Sequence, residues 1–367
     1  MNEQTPETMY VTIGLHGGGA ERLLTNVILQ QTPRDHISVV SLSAGGVFRE
    51  TLVKAGVRVT DLGMTRNRDV VRGVFALAAL IRARKPVVMY GWMYNANLLA
   101  FLARLIAGGR HSRLYWGIFC TDGCGTAFLP LQRIVRRVNA LLSRFIEGVI
   151  YNADEARDYH HGIGFREPTS LVIANCVDPE VFRHDPGERA PLRAELGLEP
   201  DTIVVVMVAR ADPMKDWHRV LEAVRDVPGI VLVAVGRGTD TLPAQSGVIG
   251  LGWRDDIVRI LNAADIFLLG SAFGEGTSLA LEEAMLCGLP SVVTDVGGNA
   301  TLAGDAGIVV PPRKPAAIRA AIMKLAADAT LRERLGHTAR HRAAARESRV
   351  DTCRMLEQLS LTDEATA

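Results

Sequence analysis

Residues 202–210 read TIVVVMVAR, directly behind the connection NCVDPEVFRHDPGERAPLRAELGLEP at 175–200. The connection is rich in proline and charge, as a linker is, whereas the run after it is an unbroken β-branched stretch of the kind a strand buried on both faces requires. The same pattern has already run once upstream. MYVTIGL (9–15), ISVVSLS (37–43), VRVTDL (57–62), PVVMYGW (86–92), RLYWGIF (113–119), EGVIYN (147–152) and TSLVIAN (169–175) read as strands separated by amphipathic segments. Downstream it continues with IVLVAVG (230–236), GVIGLG (247–252), DIFLLG (265–270), PSVVTD (290–295) and GIVVPP (307–312). Two runs with their own β-α alternation predict an α/β chain of two doubly wound domains with a cleft between them. The predicted domains are 1–175 and 176–350, joined near 175–179. From Pro315 the pattern is helical to about Leu359, so 351–367 is expected to hold the end of a helix and a frayed tail. A length of 367 residues agrees with two domains at roughly 100–200 residues each.

The bulk composition, 48% hydrophobic and 22% charged, excludes a disordered chain. A net charge of +1 hides an asymmetry. Residues 1–175 carry 20 Lys+Arg against 13 Asp+Glu, and residues 176–367 carry 21 against 27, so the halves stand at +7 and −6. The basic half predicts an anionic partner, whether a phosphorylated substrate, a membrane surface or nucleic acid. No aromatic-basic platform of the kind single strands need is visible, which argues against nucleic acid. The five cysteines (Cys120, Cys124, Cys176, Cys287, Cys353) are odd in number and lack disulfide spacing, so free thiols in a cytoplasmic protein are expected. The segment MNEQTPETMY lacks the basic and apolar regions of a signal peptide. The most apolar helical stretch, NLLAFLARLIAGG (97–109), is interrupted by Arg104 and falls short of the ~20 residues a membrane span needs.

In open α/β sheets ligands bind beyond the carboxyl ends of the strands, so the loops there carry the chemistry. After the first strand, GLHGGGAER (14–22) places Gly17, Gly18 and Gly19 before a helix, where bare backbone amides can approach a phosphate or close a tight turn. A dinucleotide site would add an acid at the end of the second strand, and VVSLSAGG (39–46) has none. In the second half ARADPMKD (209–216) sets Arg210 and Lys215 five apart at a strand end, a guanidinium fork and an ammonium suited to a diphosphate. GEGTSLALEEAM (274–285) follows the strand DIFLLG. Thr277 or Ser278 is the natural N-cap, Glu275 lies in the loop, and Glu282 and Glu283 lie about a turn inside the helix. Carboxylates accept from vicinal hydroxyls, which suits Glu275 and Glu283, while Glu282 is assigned to the solvent face.

Taken together, GGAE after the first strand, NCVD at the connection, R-x4-K at Arg210 and Lys215, and E-G-x6-E-A-M from Glu275 to Met285 resemble the retaining glycosyltransferases of family 4. The resemblance runs from about Met9 to about Leu325 and implies the GT-B architecture, two Rossmann-like domains facing across a cleft. The first would bind the acceptor and the second a nucleotide-sugar donor. YWGIFCTDG (115–123) also resembles a segment found in members that build bacterial surface polysaccharides. Carried over by this resemblance, Arg210 and Lys215 bind the donor diphosphate and stabilise the leaving group, Glu275 holds hydroxyls of the transferred sugar, and Glu283 holds the ribose. Gly18 and Gly19 bring backbone to the phosphates, Gly252, Trp253 and Arg254 flank the base, and Gly276, Thr277, Ser278 and Leu279 complete the donor loop. The resemblance implies neither a metal nor an organic cofactor. Two departures stand out: Trp116 or Gly117 occupies the position where many members have a histidine, and Thr277 stands where an aromatic residue is common. His16, in the first glycine loop, could serve in place of the missing imidazole.

LQRIVRRVNALLSRF (131–145) interleaves Arg133, Arg136, Arg137 and Arg144 with apolar residues at helical spacing. Such a helix suits an anionic bilayer, the inner face of the plasma membrane for a lipid-linked acceptor; alternatively its apolar side is core. The expected activity is transfer of a sugar, with retention implied by the resemblance, from a nucleoside diphosphate sugar, expected to be a UDP sugar. The acceptor is a hydroxyl of a saccharide or lipid-linked glycan in surface-polysaccharide synthesis. A nucleotide-sugar epimerase, a phosphorylase and a non-catalytic binding subunit are the alternatives.

Overall fold

The computed structural model describes residues 7–65, 69–109, 111–121, 130–175 and 177–346. By internal contact these divide into two compact units, 7–120 with 130–175, and 121 with 177–346. Cys124, Cys176, Cys353 and all of 347–367 lie outside the described residues; the stretch expected to be helical from Pro315 is helical at Pro315–Ala327 and Ala329–Arg346, and its part beyond Arg346 is not described.

The first unit holds strands β1 (Thr8–Thr12), β2 (Ile37–Ser41), β3 (Arg58–Asp61), β4 (Val88–Trp92), β5 (Arg113–Ile118), β6 (Gly148–Tyr151) and β7 (Ser170–Val172). All pairings are parallel, in the order β3-β2-β1-β4-β5-β6-β7. The second unit holds β8 (Ile203–Val208), β9 (Ile230–Val235), β10 (Val248–Gly252), β11 (Ile266–Leu269), β12 (Ser291–Thr294) and β13 (Gly307–Val310). They too pair in parallel, in the order β10-β9-β8-β11-β12-β13. Each strand overlaps one of the runs read from sequence. Those runs were legible because parallel strands covered on both faces are continuously apolar: β1, β2 and β4 are buried at every position, while the edge strands β3 and β7 are only partly covered.

Each sheet has its own core. In the first unit Met9, Val11, Met89 and Trp116 pack with Leu77, Ile81 and Leu99 from the covering helices. Tyr10, Tyr90 and Tyr115 occupy matched register positions on β1, β4 and β5. Their rings consequently stack across three strands at 4.8 and 5.7 Å. In the second unit Val205, Met207, Leu232 and Leu268 pack against Val220, Leu221, Ile318 and Ile322.

Chain order reverses direction once in each sheet, between β1 and β4 and between β8 and β11. Neighbouring strands there send their following loops to opposite faces, which opens a crevice at the carboxyl ends. The glycine loop follows β1, and the Arg210–Lys215 and Glu275 loops follow β8 and β11, so these three loops leave strands that border a switch point, whereas the Gly252–Arg254 loop leaves the edge strand β10.

Candidate functional site

After β8 the chain turns sharply. Asp212 caps a single helical turn, Pro213–Lys215, by accepting from the Met214 amide at 3.0 Å. Asp216 takes a left-handed conformation (φ 52°), and the helix Trp217–Val224 begins. Trp217 donates its indole N–H to the Arg210 carbonyl at 2.8 Å, fixing the backbone at the loop's start. The Ala272 amide donates to the Met214 carbonyl at 2.8 Å, stitching this loop to the one after β11.

That stitching brings two predicted residues into contact. Lys215 Nζ donates to Glu275 Oε1, and both side chains are about nine-tenths buried. Ser271 Oγ donates to the same carboxylate oxygen, and the Ser271 carbonyl accepts from Thr294 Oγ1 at 2.7 Å, tying the pair to β12. Thr121, which packs with the second unit, donates both its amide (3.1 Å) and its hydroxyl (2.7 Å) to the Glu275 carbonyl. Gly297 passes so close that a Cβ there would lie 2.0 Å from the same carbonyl oxygen, and its φ of 60° independently favours glycine. Arg210 is half exposed, with Nη2 3.0 Å from Asp212 Oδ2.

The helix Leu279–Leu286 starts behind this loop. Thr277, Ser278 and Leu279 are buried, the Gly276 carbonyl accepts from the Gly298 amide, and the Ser278 amide donates to Asn299 Oδ1 at 2.9 Å. The hydroxyl of Ser278 makes no capping bond; Asn299 supplies the acceptor instead. Glu283 is buried, as a residue turned inward would be. Glu282 corrects the sequence reading: it is fully buried, not on a solvent face, and lies 3.7 Å from Arg346 Nε. Most positions of this helix are apolar and covered, so no solvent face exists for it to occupy.

The remaining candidates are placed as follows. Gly252 ends β10 with φ 67°, its amide donating to Thr239 Oγ1 and its carbonyl accepting from Gly236. Trp253 is 45% exposed. Arg254 is clamped bidentately by Asp256, at 2.7 and 2.6 Å, with Glu195 at 3.5 Å. The paired charges hold the guanidinium above and the Asp256 carboxyl below their ordinary ranges. In the first unit the amides of Gly17 and Gly18 both donate to Glu21 Oε2, at 2.6 and 2.8 Å. The anion at this glycine loop is thus the protein's own carboxylate, three residues past the Gly18 N-cap. Gly19 opens the helix Gly19–Gln30. His16 Nε2 is 2.9 Å from Ser43 Oγ. Trp116 and Gly117 are buried within β5.

Sequence reasoning missed Glu21, Ser271 and Thr121. Only Glu21 left a local signal, an acid three positions after a helix N-cap. Among the described residues no three His, Cys, Asp or Glu side chains converge as metal ligands would, and no helix is long and apolar enough to cross a membrane. Cys120 and Cys287 carry free thiols.

Two parallel, doubly wound sheets, the second bearing a buried Lys–Glu pair at its switch point, define a GT-B architecture. One family model, Glycosyltransferase Family 4, matches residues 17–181, and a second, Glycosyl transferases group 1, matches 188–342; the chain belongs to the family 4 glycosyltransferases. It is 33% identical over 167 residues, 41% of this chain and 35% of the relative, to the D-inositol 3-phosphate glycosyltransferase of Mycobacterium marinum. It is 35% identical over 145 residues, 35% of this chain and 37% of the relative, to the UDP-Gal:alpha-D-GlcNAc-diphosphoundecaprenol alpha-1,3-galactosyltransferase of Escherichia coli. The matched stretches therefore span little more than a third of those relatives' lengths. In fold it is similar to the Anabaena protein HepE, solved in complex with UDP and glucose, with a TM-score of 0.85 at 22% identity over 97% of this chain and 100% of that one.

Proposed function

We propose that this protein is a retaining glycosyltransferase that moves a sugar from a UDP sugar to a hydroxyl of a saccharide or lipid-linked glycan in cell-surface polysaccharide synthesis. The observation that carries the reading is the buried Lys215–Glu275 pair at the β8/β11 switch point, with the half-exposed Arg210 on the same loop as Lys215. UDP is favoured by HepE, whose structure holds UDP and glucose, and a polysaccharide role by the galactosyltransferase relative. The anomeric C–O bond to the donor's β-phosphate breaks, and the acceptor oxygen bonds to the same carbon from the same face. The departing phosphate oxygen takes the acceptor's proton. Lys215 and Arg210 stabilise the charge that develops on the diphosphate, the task a divalent ion performs elsewhere. Glu275, with Oε1 held by Lys215 and Ser271, offers Oε2 to sugar hydroxyls, and Glu283 serves the ribose.

A membrane-bound acceptor fits the helix Pro130–Leu142 and the turn Ser143–Phe145 that follows it. Leu131, Ile134, Leu141 and Phe145 are 51–62% exposed at helical spacing, with Arg133, Arg137 and Arg144 exposed among them. The buried positions are the small or polar Asn139, Ala140 and Ser143. Apolar side chains facing outward between arginines suit the anionic inner leaflet.

The deciding experiment incubates the protein with UDP, GDP and ADP sugars and a saccharide acceptor, following nucleotide release and the product's anomeric configuration by NMR. Release of UDP with an α product from an α donor is expected. Conversion of the donor without acceptor, a requirement for free phosphate, or no turnover of any donor would overturn the reading in favour of an epimerase, a phosphorylase or a binding subunit.

A further inference from the structure

A second concave site lies at the opposite edge of the second sheet. Asp265 and Pro290 immediately precede β11 and β12, so the cavity they help line opens at the amino ends of the strands, away from the Lys215–Glu275 pair at the carboxyl ends. Its volume is about 330 Å³, at the small end of the range of small-molecule sites.

Its charges are unevenly committed. Asp265 is neutralised twice, by Arg189 at 2.6 Å and Arg193 at 3.3 Å. Among the described residues Arg332 spends only Nη1, on the carbonyls of Leu325 and Ala326. Arg340, half buried on the wall, makes no ion pair or hydrogen bond among the described residues. It lies against Gly288, whose missing Cβ would stand 3.2 Å from Arg340 Cδ, so its guanidinium is held by packing and not by a partner. The imidazoles of His184, whose Nδ1 donates to the Cys287 carbonyl at 3.3 Å, and of His337, whose Nε2 lies 3.2 Å from His341 Nε2, border the same cavity from exposed positions. Among the described residues the acid there without a cationic partner is Glu333, which is exposed.

A guanidinium with no counter-ion among the described residues and a second with spare donors, on the wall of a cavity of this size, are a donor set for one phosphate carried on a small polyol. We propose that this cavity binds a sugar phosphomonoester, at a site separate from the donor site. The inference uses only the geometry of the second unit and stands whether or not the transferase reading holds.

The test is isothermal titration of the full-length protein with glucose 6-phosphate, inorganic phosphate and glucose. The wild type and Arg210→Ala should bind glucose 6-phosphate alike, and Arg340→Ala about tenfold more weakly, with Arg340→Lys recovering part of the loss. Inorganic phosphate should bind more weakly than the sugar phosphate, and glucose not measurably. Absence of binding to the wild type, binding that Arg210→Ala abolishes and Arg340→Ala leaves intact, or equal affinity for inorganic phosphate would each overturn the proposal.

Discussion

The contact between Lys215 and Glu275 turns a binding prediction into one that couples binding with stability. Read from sequence alone, removing either Lys215 or Arg210 should weaken diphosphate binding and leave the fold untouched. The structure separates the two. Arg210 is 52% exposed beside Asp212, so Arg210→Ala should change stability by no more than about 0.5 kcal/mol. Lys215 and Glu275 are 11% and 8% exposed, and truncating the lysine strands a carboxylate whose Oε1 then keeps only the Ser271 hydroxyl. Breaking one side of a buried pair costs about 3–5 kcal/mol, and water entering the vacated space moves the expectation to the lower end, about 3 kcal/mol. Removing both charges at similar volume, in Lys215→Met with Glu275→Gln, leaves no stranded ion and should restore stability to within about 1 kcal/mol of wild type.

Nucleotide binding should follow the cation and not the stability. A charge-assisted bond to phosphate is worth about 1.5–3 kcal/mol, so Arg210→Ala, Lys215→Ala and the double variant should all bind UDP about 10- to 150-fold more weakly. Urea unfolding supplies the first quantity and isothermal titration with UDP the second. Two results would refute the reasoning. If the double variant is as destabilised as Lys215→Ala, the cost does not come from a stranded carboxylate. If the double variant binds UDP as tightly as wild type, Lys215 is not a diphosphate ligand.

Three further outcomes follow from the first unit and from the thiols. His160 is buried, accepting from the Tyr94 hydroxyl at Nε2 and donating from Nδ1 to the Ala156 carbonyl, and burial pushes its imidazole from 6.5 down to about 4. The unfolded chain therefore binds the extra proton between those values, so stability is complete above about pH 6.5 and falls by about 3 kcal/mol as pH drops toward 4. His160→Gln should flatten the urea midpoint across that window, and an unchanged slope would reject this origin. Leu141→Gln with Phe145→Gln, or Arg137→Glu, should each reduce sedimentation with vesicles of anionic phospholipid about tenfold, and equal binding to zwitterionic vesicles would count against the membrane reading. Burial raises the Cys287 thiol to about 12, so alkylation of the native protein at pH 8 should leave Cys287 unmodified by mass spectrometry while the half-buried Cys120 reacts.

Strands were legible because burial on both faces writes itself into consecutive residues, as in VVVM of β8 or IFLL of β11. Contacts made across the sheet order were not. Lys215 and Glu275 are 60 positions apart and meet because β11 inserts beside β8, an adjacency that β-α alternation does not specify. The sequence showed that both residues belong to strand-end loops; only the order β10-β9-β8-β11 makes those loops neighbours. Glu282 failed for a related reason: two adjacent glutamates in LALEEAML were divided between an inner and an outer face, but the helix is enclosed, and the guanidinium near Glu282 comes from Arg346, far along the chain. The helix Pro130–Leu142 shows the complementary limit. Apolar periodicity locates a stripe and says nothing about which side of it faces the protein. Here Asn139 sits inward, donating to the carbonyls of Tyr94 and Val135, Ser143 accepts from the Arg166 amide, Leu142 packs on the core, and Leu131 and Leu141 face out. The inward polar bonds are what decide the orientation, because the Asn139 Nδ2 donors and the Ser143 hydroxyl find partners only where those groups lie. Exposure of Leu131, Ile134 and Leu141 is thus a consequence of satisfying buried polar groups, and the surface it creates between arginines is the one the vesicle experiment probes.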